Sequence, residues 1–384
     1  MAASPPGLAA APGPLISRTA AAPASSGGRG SRLLALDGLR LVAALMVCLY
    51  HYTGRGGTVS ASWHGSPAHI FPTLSRAAVY GNFGVQFFFV ISGFVICMSS
   101  WGRTLGDFFR SRIARLYPAY WVALFLITGA SLALPAVVHA VRLDEFLVNL
   151  TMLQQPMGAT RVLGVCWTLW VEVRFYVLFA LLVVLRGVTY RRVVLFACVW
   201  TLAGVLCNSS SNELLNQIIM PEYAPFFVGG LALYLIHRFG SDLLAWGIVA
   251  MSWLLAQSEA THGLWGPHPH RNPYVVIAIV TVAYAAVAAV ALGWTRWASW
   301  RWLVTAGALT YPFYLVHEHL GWFVIRVLHR GLGLPPWPTL AVTVLGMLVL
   351  AWLIHRFVEK PFGPRLKRAL KPRPVDAEAA QPTR

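Results

Sequence analysis

Apolar residues along this chain gather into runs far longer than the strands or half-buried helices of a water-soluble core. Stretches of membrane-spanning length recur at 34–53, 79–101, 117–135, 167–185, 192–207, 221–237, 242–257, 274–293, 303–325 and 338–356. Ten such runs predict an all-α polytopic membrane protein of about ten transmembrane helices. The runs at 192–207 and 242–257 are short for a crossing, and "LDEFLVNLTMLQQ" at 143–155 reads as a surface or re-entrant helix.

Polar positions between the runs carry the topology. With the N-terminus inside, Arg103, Arg110, Arg112, Arg115, Arg186, Arg191, Arg192, Arg238, Arg296, Arg301 and the basic stretch from Arg356 to Arg373 fall on one side. The other side keeps Arg55, Arg76, Arg142, Arg161, Arg271 and Arg330. Because cytoplasmic loops collect Lys and Arg, this asymmetry puts both termini in the cytoplasm of a cell-membrane protein.

Three segments follow. Residues 1–31 are Ala, Pro, Gly and Ser with a few Arg, without the basic start and strongly apolar run of a signal peptide, and read as a disordered cytoplasmic tail. Residues 32–358 form the membrane domain. Residues 359–384 are a basic cytoplasmic tail, too short and too polar to bury a core of their own.

Composition strengthens this picture. Hydrophobic residues make up 57% and charged residues 11% of the 384 positions, with a mean hydropathy of +0.63. The net charge of +17 is spread in short clusters between apolar runs, so it marks topology and not a nucleic-acid partner. Five cysteines, odd in number and in no C-x-x-C pair, indicate neither a disulfide framework nor a zinc site.

Charges kept inside apolar runs are the candidate chemistry, because a charge at bilayer depth costs at least roughly 2.5–3.5 kcal/mol unless it is partnered. "LDGLRLVAALMVCLYHY" holds Arg40 and His51, three helical turns and roughly 16 Å apart along one face of a straight α-helix. "WTLWVEVRFY" places Trp167 and Trp170, then Glu172 and Tyr176, at helical spacing. Counted from an outer boundary at the start of that run, Glu172 sits about 7–8 Å deep, a level similar to His51. Arg174, two residues on, faces elsewhere, so Glu172 calls for a partner on another helix, with His51 and Arg40 as candidates. "FFRSRIARLYPAYW" presents Arg110, Arg112 and Arg115, whose planar forks suit a polyphosphate.

Weaker features are His317 in "YPFYLVHEHLG", which fits a residue that touches substrate or supports one that does, and the neighbouring Glu318 and His319, which do not form an H-E-x-x-H zinc motif. His262, His268 and His270 join no carboxylate or cysteine at a recognised spacing, and no metal is predicted. Ser92 lacks a G-x-S-x-G elbow, and Gly84 and Gly93 suit close helix packing.

Together "LDGLR" with His51 after a ten-residue gap, "FFFVISGF", "RIARLYPAYW", "WTLWVEVRFY" and "YPFYLVH" resemble, in that order, the membrane-bound acyltransferase type 3 superfamily. The resemblance covers residue 36 to about 320. Members acylate sugars of O-antigen, peptidoglycan, exopolysaccharide, Nod factors and macrolide antibiotics. It implies a ten-helix domain that takes acetyl-CoA or another acyl-CoA from the cytoplasm and acylates a hydroxyl of a sugar-containing acceptor. By carry-over, Arg40 and His51 match the Arg-x10-His pair, Arg112 and Arg115 the R-x-x-R motif on the CoA side, and Glu172 the acid of the tryptophan block. Arg174 departs from the pattern by adding a charge, and the hydrolase-like domain fused to some members is absent, which suggests a stand-alone enzyme. On this reading His51 is the base, Glu172 orients it or stabilises its protonated form, Arg40 lines the pantetheine path or neutralises a buried acid, and Arg112 with Arg115 holds the CoA phosphates. The rival reading is a transporter or flippase of a glycan or small molecule, whose substrate path would use the same residue types.

Overall fold

The computed structural model describes residues 33–371 apart from 136, 139, 209, 211, 263 and 265–270. The 1–31 tail, the end of the C-terminal tail, His268 and His270 lie outside the described residues. Ten long helices follow one another: α1 Leu34–Leu49, α2 Gly84–Ser100, α3 Leu105–Ala133, α4 Cys166–Phe179, α5 Tyr190–Cys207, α6 Ala224–Phe239, α7 Leu243–Thr261, α8 Pro273–Ala291, α9 Trp302–Ile325 and α10 Pro336–Ile354. A shorter basic helix, α11 Lys360–Ala369, ends the described chain. No strand occurs among the described residues.

Nine helical runs among the described residues are long and apolar enough to cross a membrane. The tenth expected run is α9, a helix of 24 residues. Its apolar character is interrupted by His317, Glu318 and His319, all buried inside the bundle, so it falls short by composition and not by length. Elsewhere the exposed faces are apolar: Leu195, Leu202 and Leu206 on α5, and Leu345 and Val349 on α10, are open to the surroundings, as lipid-facing residues must be. The span expected at 117–135 begins earlier, at Leu105, where the Thr104 hydroxyl accepts from the Asp107 amide at 3.1 Å and caps α3. The segment at 143–155 contains only the short helix Leu143–Asn149, which is not a crossing. Outside the membrane spans, the Thr160 hydroxyl donates to Glu145 at 2.5 Å and holds its carboxyl below the usual carboxylate range.

Two pairings position the site. The helix α6 lies closely along α2 because two glycines let the backbones meet. A side chain on Gly93 would run into the Phe227 backbone, and one on Gly230 into the carbonyl of Val90. Stacked rings of Phe175 on α4 and Phe227 on α6, with centroids 4.3 Å apart, tie α4 to the same pair. The second pairing is α9 against α1, with α3 and α10 on its other sides. The Gly321 position on α9 admits only a bare backbone, because the Tyr52 ring fills the space beside it.

Between α1 and α2 the chain makes short turns at Thr58–Trp63, Pro67–Ile70 and Pro72–Ala78. They pack over the end of α1, where the Trp63 indole donates to the Tyr52 carbonyl at 2.8 Å and the Ser75 hydroxyl to that of Thr53. Gly230→Leu is expected to force α6 off α2 and cost about 3 kcal/mol, read as a lower unfolding midpoint of the detergent-solubilised protein, with the exposed Gly346→Leu leaving the midpoint unchanged.

Candidate active site

Helix α1 does not end in a regular turn. Residues Tyr50–Gly54 form a π-helical turn, which changes the rotation per residue and so turns His51 toward α9. Three hydrogen bonds fix that turn against α9 and the cap: the Trp322 indole donates to the His51 carbonyl at 3.1 Å, the Tyr52 hydroxyl to the His317 carbonyl at 2.6 Å, and Trp63 to Tyr52 as above.

The His51 ring then meets a carboxylate. Its Nδ1 lies 3.1 Å from Glu318 Oε1, and an Arg55 guanidinium nitrogen lies 3.3 Å from the same oxygen. A carboxylate only accepts, so the imidazole tautomer that meets it donates from Nδ1 and presents Nε2 as the acceptor; Arg55 also comes within 3.5 Å of Nδ1. Among the described residues nothing hydrogen-bonds to that Nε2. The His51 side chain is only 12% exposed and faces neither open lipid nor bulk water. Glu318 is wedged against Gly164, where even a methyl group would overlap it. Its second oxygen has no hydrogen-bond partner, with His319 Nε2 3.9 Å away. His319 is itself oriented through Nδ1 by the Val162 carbonyl at 2.8 Å.

A cavity occupies the space between α1, α2, α3, α4 and α9. At one end its wall carries Arg40, Arg112 and Arg115, with Glu172 and Tyr176 beside them. Arg115 is exposed while Arg112 is buried, so the cavity reaches the surface at Arg115. Arg112 is held over the rings of Phe108 and Tyr176, at 5.5 and 5.7 Å, and bonds the Ser99 hydroxyl. Glu172 accepts from the Ser92 hydroxyl at 2.5 Å. The remaining wall is apolar, including Val85, Phe88 and Leu169, up to Thr168 and Tyr314, whose hydroxyls are 3.0 Å apart. From there aromatic contacts lead to the imidazole: Tyr314 to His317 with centroids 5.4 Å apart, and His317 to His51 at 5.3 Å. The Nε2 of His317 is buried and unpartnered. His51 therefore stands one ring beyond the cavity end opposite the arginines.

These positions differ from the sequence expectation in one important respect. His51 is oriented by Glu318, not by Glu172, which belongs to the arginine end. The depth of Glu172 was counted from a membrane boundary at Trp167, but α4 starts inside the bundle: Val162, Leu163, Val165 and Cys166 are all buried. That buried entry is kept satisfied by Asn149, whose amide donates to Glu145 and Thr160 carbonyls at 2.8 Å and accepts from the Val162 amide at 3.1 Å. Arg40 lies on the cavity wall with Glu172, as a candidate neighbour for it. Arg110 pairs with Asp107 at 2.9 Å and does not line the cavity. Trp167 packs on Tyr223, and Trp170 lies under Arg174, which donates to the Gln217 carbonyl; neither tryptophan reaches the cavity. Glu318 and Arg55 carried no site role in the sequence reading. The signal available for Glu318 was a carboxylate in the middle of an apolar run.

Geometrically, the cavity can hold a largely apolar molecule with an anionic end at the arginines; it ends at Thr168 and Tyr314, and the His317 ring stands between that end and the oriented imidazole of His51. Among the described residues no group of three or more His, Cys, Asp or Glu is placed to hold a metal ion. The family model described as an acyltransferase domain, acyltransferase 3, matches residues 33–356. The chain belongs to this acyltransferase family. It is 28% identical to the acyltransferase MdmB of Streptomyces mycarofaciens, over 92% of this chain and 98% of MdmB. It is also 24% identical to "Putative peptidoglycan O-acetyltransferase YrhL" of Bacillus subtilis strain 168, over 85% of this chain and 54% of YrhL, so it spans about half the length of that relative. No solved structure gives a significant match.

In this multi-pass acyltransferase, Gly164→Ala is expected to push Glu318 away from His51. The expected outcome is at least about a tenfold loss of acyl transfer with a stability cost of about 1–3 kcal/mol, measured by turnover and unfolding midpoint on the same preparation.

Proposed function

We propose that this protein is an acyl-CoA-dependent O-acyltransferase of the cell membrane. It moves an acetyl or other short acyl group to a hydroxyl of a sugar-containing acceptor, either a cell-surface glycan or a glycosylated natural product such as a macrolide. The observation that carries this reading is the His51–Glu318 pair standing one ring beyond an apolar cavity whose other end holds Arg40, Arg112 and Arg115.

In the proposed reaction the acyl-CoA phosphates lie at Arg112 and Arg115, facing the cytoplasm where the basic loops gather. The pantetheine arm follows the apolar wall past Arg40 and Tyr314, bringing the thioester to His51. The Nε2 of His51 takes the proton of the acceptor hydroxyl as that oxygen attacks the thioester carbonyl. Glu318 stabilises the imidazolium that forms, much as a buried carboxylate does in a hydrolase triad. Collapse of the tetrahedral intermediate breaks the carbon–sulfur bond, and the departing thiolate takes the proton back from Nε2. The products are the O-acyl ester and free CoA, and the base is restored. Arg55, which shares Oε1 of Glu318, keeps that oxygen in place while the imidazole changes charge.

His51→Ala is expected to lower turnover by at least about 10²-fold, and Glu318→Gln to lower it comparably with KM for acyl-CoA unchanged, both measured as thiol release from acetyl-CoA by purified protein. Full activity of His51→Ala removes the proposed base, and a protein that moves substrate without releasing thiol is a carrier. Replacing both Arg112 and Arg115 by Gln is expected to raise the KM for acyl-CoA by about 10–100-fold, seen in initial-rate kinetics with the acceptor saturating; an effect confined to the acceptor contradicts their assignment.

A further inference from the structure

The basic helix α11 takes no part in the site described so far, yet it lies beside the cavity opening. Three registrations fix it antiparallel to the start of α3. Glu359 is within electrostatic range of Arg115, Gly363 sits where a side chain would meet the Ala114 carbonyl at 3.3 Å, and Lys367 is within electrostatic range of Asp107. Both members of the pair outrun the bilayer. The 29 residues of α3 extend about 43 Å at 1.5 Å per residue, and the helical run 336–369 about 51 Å, against a hydrocarbon core of about 30 Å. The polar starts and ends of these runs, "FFRSR" in α3 and α11 itself, are the parts that overhang.

The overhang is a cationic platform. Lys360, Arg365, Lys367 and Arg368 are exposed, and among the described residues none of the four is ion-paired. Among the described residues the two acids registered against this segment are already engaged, Asp107 by Arg110 at 2.9 Å and Glu359 by His355 at 2.7 Å. This leaves excess positive charge a short step outside Arg115.

The chemistry of the donor makes use of two such sites. The nucleotide end of an acyl-CoA carries two separate anions, a diphosphate that joins the pantetheine arm and a 3′-phosphate on the ribose beyond it. Arg112 and Arg115 can serve the first, and the second must lie further out. On the acyl-CoA reading above, we infer that α11, through Arg365, Lys367 and Arg368, binds the ribose 3′-phosphate of the donor and so selects acyl-CoA over thioesters that lack that group. Lysine and arginine at this position are point charges and forks for an exposed dianion, which is the contact expected of a rim and not of the reacting centre. An anionic lipid headgroup offers the same phosphate chemistry and is separated from it by the test.

The full chain is reconstituted into nanodiscs of phosphatidylcholine alone or with phosphatidylglycerol. Thiol release is measured with acetyl-CoA, acetyl-dephospho-CoA and acetyl-pantetheine, each with a macrolide and a peptidoglycan fragment supplied as hydroxyl acceptors, for wild type and for R365Q/K367Q/R368Q. The expected result is that wild type has a KM about tenfold lower for acetyl-CoA than for acetyl-dephospho-CoA, and that the triple variant loses this preference with kcat unchanged, in both lipid compositions. A triple variant that keeps the preference overturns the inference. So does an equal loss with all three donors that tracks phosphatidylglycerol content, which assigns α11 to headgroups. Absence of thiol release by wild type from every donor overturns the acyl-CoA reading itself, and with it this inference, a result distinct from either of the others. A single variant, Lys367→Gln, serves as the check that a smaller loss of the same preference appears without any change in the elution of the protein.

Discussion

A carboxylate buried among helices in lipid survives only if cations or donors meet it, and that constraint organises one end of this protein. Glu318 is met by His51 and Arg55 on one oxygen, and everything around it keeps the meeting in register. The π-helical turn at Tyr50–Gly54 aims the imidazole, Trp322 and Tyr52 lock the turn to α9, and Gly164 gives the carboxylate room. An ion pair of this kind is a poor source of stability, because desolvation offsets most of the attraction. It is a good source of orientation, which is what the proposed base needs.

The same constraint explains the other end. Arg40, Arg112 and Arg115 converge with Glu172 on one cavity, and like charges this close are tolerated where an anionic ligand is to be received. Arg112 is held by aromatic faces and a hydroxyl, with Glu172 within electrostatic range and not in a direct ion pair. Between the two ends the wall is apolar, and the link is a short chain of rings from Tyr314 through His317 to His51. On the proposed acyl-CoA reading this division has a chemical sense: an anionic handle at one end and a group-transfer centre at the other.

Helix packing supplies the rigidity. The closest pair, α2 and α6, meets through Gly93 and Gly230, and the ring stack of Phe175 on Phe227 draws α4 onto it. The cavity wall from Ser92 to Glu172 is therefore carried by helices that cannot slide independently. In lipid, where apolar surface gives no hydrophobic drive between helices, such backbone contacts and interdigitated rings are what remains.

The class of fold and the residues worth watching were legible in the order of residues alone. Apolar runs of spanning length gave every long helix, since length and hydropathy are local properties, and the order of the motif blocks pointed to the family that the chain-wide match then established. It also gave the grouping of Arg112 with Arg115, which one helix turn fixes. Which carboxylate faces His51 was set by the packing of helices distant in the chain. Counting residues from a helix end assumes that the helix starts at the membrane surface and runs straight, and both assumptions fail here: α4 begins inside the bundle, and α1 ends in a π-helical turn that rotates His51 onto α9. A partner across helices is a matter of how whole elements pack, and no periodicity within one element can state it.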